Sequence, residues 1–302
     1  MASLNSYTQI GRREDLIDKL VQLGDSKAKL VSSFKMRTNT STMLTEWQDY
    51  ELATPTANAQ VQGFTVTGTY TVRSRRSNYV QIMSTPVEVD DTTIENMNVA
   101  GVRNEWEFQT STKFVEHKRD LEWALINNST SATGVSATAS ASGQALGMFG
   151  AVTTNVSAPA ASSSVFTEDE FIDLIRKIYD ATGDPADGLQ FHSGTLNVKR
   201  VTDFTGINKT MSVGPGDSVH NRQVTTILTN FGSVSLIPNI MVGNSKFGLF
   251  DFATWAYVSK VAPKFKLLGR TGDSQTGYWK SEWSLHWLSE RSNATMSGIA
   301  TA

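Results

Sequence analysis

Four histidines, His117, His192, His220 and His286, are the first residues to test for chemistry, because a neutral imidazole can bind a metal or move a proton near neutral pH. They stand far apart, and none has a second ligand-type residue at the spacing of a metal site, so they define no metal centre. His117 falls on the apolar stripe of a helix and reads as a packed core residue. His192-Ser193-Gly194 sets a serine beside a histidine without the Gly-x-Ser-x-Gly frame of a nucleophile turn. The run Gly269-Arg270-Thr271-Gly272-Asp273-Ser274 suggests a phosphate cradle but lacks the Gly-Lys-Ser/Thr ending that supplies a lysine and a magnesium ligand, so it reads as a tight turn between strands. The acidic pairs carry no glycosidase spacing: Asp90-Asp91 follow a strand, and Glu168-Asp169 sit in a first helical turn, where the helix dipole favours them. Cysteine is absent, which removes disulfide, thiolate and zinc-thiolate chemistry. No catalytic, cofactor-binding or metal-ligating residue emerges, and the chain is expected not to be an enzyme.

The residues that do stand out are three arginines, Arg73, Arg75 and Arg76, and they need an element to hold them. Over 64–72 the sequence alternates strictly, with Phe64, Val66, Tyr70 and Val72 on one face and Thr65, Thr67, Thr69 and Thr71 on the other. A second β-rich run covers 79–89, so the pattern predicts a hairpin whose tip, 73–78, is basic. An isolated two-stranded ribbon is marginal in water and needs a neighbour to lie on. Two readings of the tip stay open at this point: arginines that pair with carboxylates on that neighbour, or a solvated turn that blunts the edges. Before the hairpin, 36–59 is polar, contains Pro55 and reads as an unpaired arm. After it, Val99, Val102, Trp106, Thr110, Phe114, His117, Leu121 and Leu125 recur every three or four residues, predicting about 40 Å of one-sided helix ended by Asn127 and Asn128. Its opposite face carries Arg103, Glu107, Lys118, Arg119 and Glu122. Arm, ribbon and helix together spend many residues on structure with no core of its own, which points to assembly.

Composition sets the remaining bounds. At 302 residues and 39% hydrophobic content the chain can bury a real core, and its formal net charge of -2 excludes a strongly basic nucleic-acid binder. No window approaches the roughly 18 consecutive apolar residues of a membrane span, and the polar start of the chain reads as no signal peptide. A helix is expected over 12–23. The Ser/Thr/Ala run at 129–143 cannot form a core, and a similar stretch covers 157–164. Thr167 with Glu170 makes a capping box for a helix whose buried stripe is Phe171, Leu174, Ile175 and Ile178, stopped at Gly183-Asp184-Pro185. A strand near 189–192, a short helix near 196–204 and a Gly/Pro loop at 206–221 follow. Strands are then expected at 224–228, 233–237, 247–250, 257–261, 265–268 and 279–288, giving a mixed α+β class.

Several blocks, in order, carry a resemblance: REDLIDKLVQL (13–23), TEWQDYELATPTANAQVQG (45–63), NYVQI (78–82), EHKRDLEWALINN (116–128), TNFGSVSLIPN (229–239), GLFD (248–251) and LGRTGDS (268–274), with Glu282 and Leu285 beyond. They resemble the major capsid proteins of a group of tailed bacteriophages, and the likeness covers nearly the whole chain. It implies the Hong Kong 97-like α+β capsid fold: an N-terminal arm at 1–60, an E-loop β-hairpin at 61–89, a peripheral domain at 90–145 and 256–302 with a long spine helix, and an axial domain at 146–255. It also implies pentamers and hexamers of an icosahedral head, with portal and separate scaffold or decoration proteins as partners, no cofactor and no membrane. Packaged double-stranded DNA would be touched weakly, given the net charge, and the protein would reside in the virion after assembly in the host cytoplasm. Arg73, Arg75, Arg76, Trp47 and Tyr79 become candidate contacts between copies. An encapsulin-type nanocompartment shares the fold and is the alternative. Some related capsids crosslink an E-loop lysine to an asparagine; this chain has no lysine between Lys35 and Lys113, so no such bond is expected from its ribbon.

Overall fold

A long helix and three sheets organise the chain, whose computed structural model describes residues 28–95, 102, 104–134, 142–160, 164–204, 226–270 and 272–301. The helix expected over 12–23, the loop expected over 206–221 and His220 lie outside those residues. In order come α1 (Lys29–Ser33), β1 (Met36–Asn39), β2 (Leu44–Tyr50), β3 (Arg73–Tyr79), β4 (Gln81–Asp90), α2 (Asp91–Glu95) and α3 (Glu105–Asn127). Next are α4 (Met148–Ala151), β5 (Val156–Ser157), α5 (Glu168–Thr182), β6 (Leu189–Ser193) and α6 (Thr195–Asp203). The strands β7 (Thr226–Thr229), β8 (Gly232–Pro238), β9 (Lys246–Phe250), β10 (Trp255–Leu267), β11 (Ser274–Trp287) and β12 (Ala294–Ser297) close the chain, which is the α+β order that the sequence predicts.

One sheet has the order β1-β10-β11-β4, a second β5-β12-β9-β6-β8-β7, and β2 pairs with β3 alone. β10 is one strand where two were expected. Its ladder with β1 ends at Asn39 opposite Ser259, so among the described residues one side of β10 is open beyond that point, and the missing N–H of Pro263 costs no ladder bond there. The turn after β10 is the one predicted from 269–274: the Leu268 N–H bonds Thr276 O at 2.9 Å, and Gly272 takes φ +79°, a left-handed value that favours glycine.

The described chain divides into two compact units. The smaller joins 84–117 to 265–279. In it Phe114 lies 4.4 Å from Trp279, whose indole N–H donates to Thr110 O, and Trp106 meets Phe265 edge-on at 5.9 Å. His117 is buried at 1% exposure with Nδ1 2.9 Å from the Thr85 hydroxyl, a satisfied core residue as expected. In the larger unit two cores form. One gathers Leu30, Phe34, Leu121, Leu125, Trp255 and Trp283 with their neighbours. The other sets Phe171, Leu174, Ile175 and Ile178 of α5 against Phe191, Phe247 and Leu249 of its sheet. Thr167 and Glu170 make the predicted capping box, and Gly183, at φ +77°, caps the far end of α5.

Helix α3 begins at Glu105, where the Asn104 side chain accepts from the N–H groups of Trp106 and Glu107. Its charged face needs one correction. Glu122 is fully buried, not solvent-facing, while Trp123 beside it is 56% exposed. The Glu122 carboxylate accepts from the backbone N–H groups of Lys29, Leu30 and Val31 and from the Asn239 amide. It thereby fills the orphan donors at the start of α1, which hydrophobic periodicity in α3 alone cannot reveal.

Candidate assembly interface

The two-stranded ladder of β2 and β3 runs antiparallel from Leu44 opposite Tyr79 to Tyr50 opposite Arg73. This corrects the hairpin inferred from the sequence. Arg73, Arg75 and Arg76 lie in a strand rather than at a tip, and the partner of that strand is the supposed arm at 44–50, not the alternating run at 64–72. Tyr79 ends β3, and the strand that follows, β4, pairs with β11. The physical reason is alternation within β2 itself, where Thr45, Trp47 and Asp49 turn inward and Glu46, Gln48 and Tyr50 outward.

Each strand of the ladder has an anchor in the larger unit. Asn78, fully buried, donates to Leu146 O and Leu285 O and accepts from the Leu146 N–H and the Ser131 hydroxyl, so its amide is well satisfied. Its carbonyl takes the Thr45 hydroxyl at 2.9 Å. Trp47 is wedged 4.5 Å from the His286 ring and 4.7 Å from Trp287. Arg76 bonds Asp49 at 2.9 Å, and Arg75 lies 3.6 Å from Glu46, both as diagonal pairs across the ladder. Arg73 is exposed opposite Tyr50. Tyr79 is half-buried, with its N–H on the Ser131 hydroxyl and its carbonyl on that of Ser284.

Between the two strands the chain makes an excursion, 51–72, in which every residue is exposed. Leu52 and Val61 are 77% accessible, Val66 75% and Tyr70 88%, with Phe64 and Val72 exposed beside them. A single turn marks its far end, where the Phe64 N–H meets Val61 O at 3.2 Å and Gly63 adopts φ +83°. At its base Glu51 forms a two-pronged ion pair with Arg291, at 2.5 and 3.0 Å. Next to Arg291, Glu290 accepts from the N–H and hydroxyl groups of Thr153 and Thr154. Burial opposes the Glu290 charge, but these hydrogen bonds outweigh it and hold the pKa below the usual carboxylate value. Glu51, Thr154, Glu290 and Arg291 line a polar hollow of about 310 Å³ with Asp49, Arg76 and Trp287.

His192 is buried against Phe252 and bonded to Gln190, and desolvation pulls its pKa down to about 3. Among the described residues no group of three or more His, Cys, Asp or Glu is placed to hold a metal ion, and no helix is long and apolar enough to cross a membrane. Sequence reasoning had missed Asn78 as an anchor, Thr45 beneath it and the clasp of Glu51 with Arg291. Asn78 was hidden because an asparagine after a run of arginines and serines reads as a turn residue.

A chain whose described sheets and helices pack on one another, while a long excursion rich in apolar side chains packs on none of the described residues, is built as the subunit of a larger assembly. The SU10 major capsid protein family matches residues 3–300, and the chain belongs to that family. Its fold is that of the Hong Kong 97-like capsid proteins. It is similar to a chain of the cyanophage A-1(L) capsid asymmetric unit, with TM-score 0.70 and 12% identity over 99% of this chain and all of the other. The capsid of a native GTA particle gives TM-score 0.65 at 11% identity, covering 99% and 100%. The SrpI encapsulin of Synechococcus elongatus PCC 7942 gives 0.62 at 13%, covering 99% and 97%. No curated protein sequence matches the chain. The role is capsid formation, and the location is the virion.

Proposed function

We propose that this chain assembles with copies of itself into the pentamers and hexamers of an icosahedral phage head around double-stranded DNA, each subunit reaching a neighbour through the excursion at 51–72. The observation that carries this is the complete exposure of that segment with its six large apolar side chains. In this reading the arm ends before β2, 146–255 is the axial domain, and 90–145 with 256–302 the peripheral domain, while the E-loop proper is 51–72 on a β2-β3 base. Arg73, Arg75, Arg76 and Tyr79 flank the contact and Trp47 holds its base in register. Portal, scaffold or decoration proteins and assembly in the host cytoplasm complete the proposal, and the net charge of -2 leaves DNA contact weak.

Electron microscopy of the purified protein tests it. Closed shells are expected, and a variant with 52–71 replaced by a short Gly/Ser linker should fold yet stay unassembled. Monomers at every concentration and salt tested would refute the proposal. The likeness to an encapsulin favours one second reading, a cargo-enclosing compartment. Nucleic acid protected from nuclease inside the particles separates the two.

A further inference from the structure

The excursion is a hairpin that does not zip. Its two halves differ: 51–61 holds Pro55, Asn58 and three alanines and is a poor strand former, whereas 64–72 alternates Phe, Val, Tyr and Val with threonines and is a strong one. If the ladder from Tyr50 and Arg73 ran on in register, Gln60 would face Gly63. The observed turn instead sets Val61 against Phe64, out of step with that ladder. So 64–72 is β-competent by sequence but has no strand beside it among the described residues.

The same chain carries a strand edge with the opposite deficit. Beyond Ser259, β10 is paired on one side only among the described residues. Its faces there resemble those of 64–72: Val261, Pro263, Phe265 and Leu267 form an apolar row, and Lys260 (paired with Glu282), Lys264 and Lys266 a basic one interrupted by Ala262. Val261 and Phe265 are half-buried, Phe265 against Trp106 and Trp279, but Leu267 is 60% exposed and Pro263 exposed, so the apolar row is covered only in part. The outer edge of β4 differs, since Thr85, Val87 and Val89 on its inner face are already buried.

We infer that residues 64–72 of one copy add as a strand to the open edge of β10, Lys260 to Leu267, in a second copy. The inference rests on the shell-forming reading and names the surface it uses. Charge decides the partner. Lysines and Pro263 keep two such edges from pairing with each other, but 64–72 carries no charge, and its threonine hydroxyls can accept from lysine ammonium groups. Strand addition supplies affinity through main-chain hydrogen bonds and specificity through alternate side chains. Area is sufficient as well: Phe64 and Tyr70, at roughly 150–250 Å² per aromatic side chain when fully covered, with two valines and four threonines, approach the roughly 800 Å² per partner of a stable interface.

The cysteine-free chain gives a clean test. Thr69→Cys is combined in turn with Ala262→Cys, Lys264→Cys and Lys266→Cys, and, as a comparison, with Ser84→Cys on β4. Under oxidation, assembled particles of at least one β10 pair should yield covalent multimers on non-reducing gels, and the Ser84 pair none. Amide exchange on the unaltered protein gives a second reading that needs no variant: 64–72 and 260–267 should slow together, about tenfold or more, on assembly, while 51–61 changes less. Particles in which 64–72 exchanges as it does in free subunits, or in which Thr69 links only to Ser84, overturn the docking edge. A parent protein that forms no particles refutes the shell-forming reading itself, a result seen before any variant is made.

Discussion

Glu122 is the residue whose loss should cost the subunit most for its size. A buried carboxylate that serves three backbone N–H groups and an amide leaves all of them without acceptors when truncated, and each unsatisfied buried donor costs about 1–3 kcal/mol. Glu122→Ala is expected to lower unfolding free energy by roughly 3 kcal/mol or more in urea titrations of unassembled subunits, and Glu122→Gln by less, since one acceptor oxygen remains. His192 sets an acid limit. The folded state holds its ring neutral down to about pH 3, whereas the unfolded chain protonates it near the ordinary value of 6.5. Between those values the unfolded state binds the extra proton, so stability is fully present above 6.5 and falls as pH falls, by about 1.4 kcal/mol per pH unit. Replacing His192 with Gln should flatten that slope between pH 6 and 4; an unchanged slope would assign the acid sensitivity to other groups, such as His286, whose pKa burial also lowers.

At the scale of elements, α5 offers the plainest measurement. Thr167→Ala removes the hydroxyl that caps Glu170 N–H and should cost about 1 kcal/mol, read as a shift in urea midpoint without a change in slope. That helix was legible in the sequence because its cap, its stripe and its glycine stop are all local. Much of α3 was legible for the same reason, as were the strands from β6 to β11, with β10 read as two, whereas the short β12 was missed. The ribbon was misplaced because β2 and β3 meet across the whole excursion, and period-2 alternation shows that a segment is a strand without showing its partner. Once 64–72 reads as the better strand, 73–78 falls where a turn should be. Glu122 was misassigned because its binding partner, the start of α1, lies far away in sequence.

For the whole molecule, the arginines and the missing lysine make two linked predictions. Arg75 and Arg76 pair with Glu46 and Asp49 in exposed positions, where such pairs are worth roughly 0–1 kcal/mol each. Changing Arg73, Arg75 and Arg76 together to alanine should leave assembly intact and lower the heat and salt resistance of the particles; resistance equal to the parent would show that the three arginines do not strengthen the shell. Heated in SDS, the particles should run as single chains, because the ribbon has no lysine to crosslink. A donor strand and an acceptor edge on different parts of one chain make a head-to-tail contact, which closes into rings of either five or six when the connecting segment can bend. The way the excursion is attached has a mechanical consequence. It leaves through β2 and returns through β3, and each strand enters the subunit at its own anchor, Trp47 between His286 and Trp287 on one side and buried Asn78 on the other. A pull on the far turn, such as a pressurised interior would exert, is therefore shared between two covalent lines, so neither anchor bears the full load.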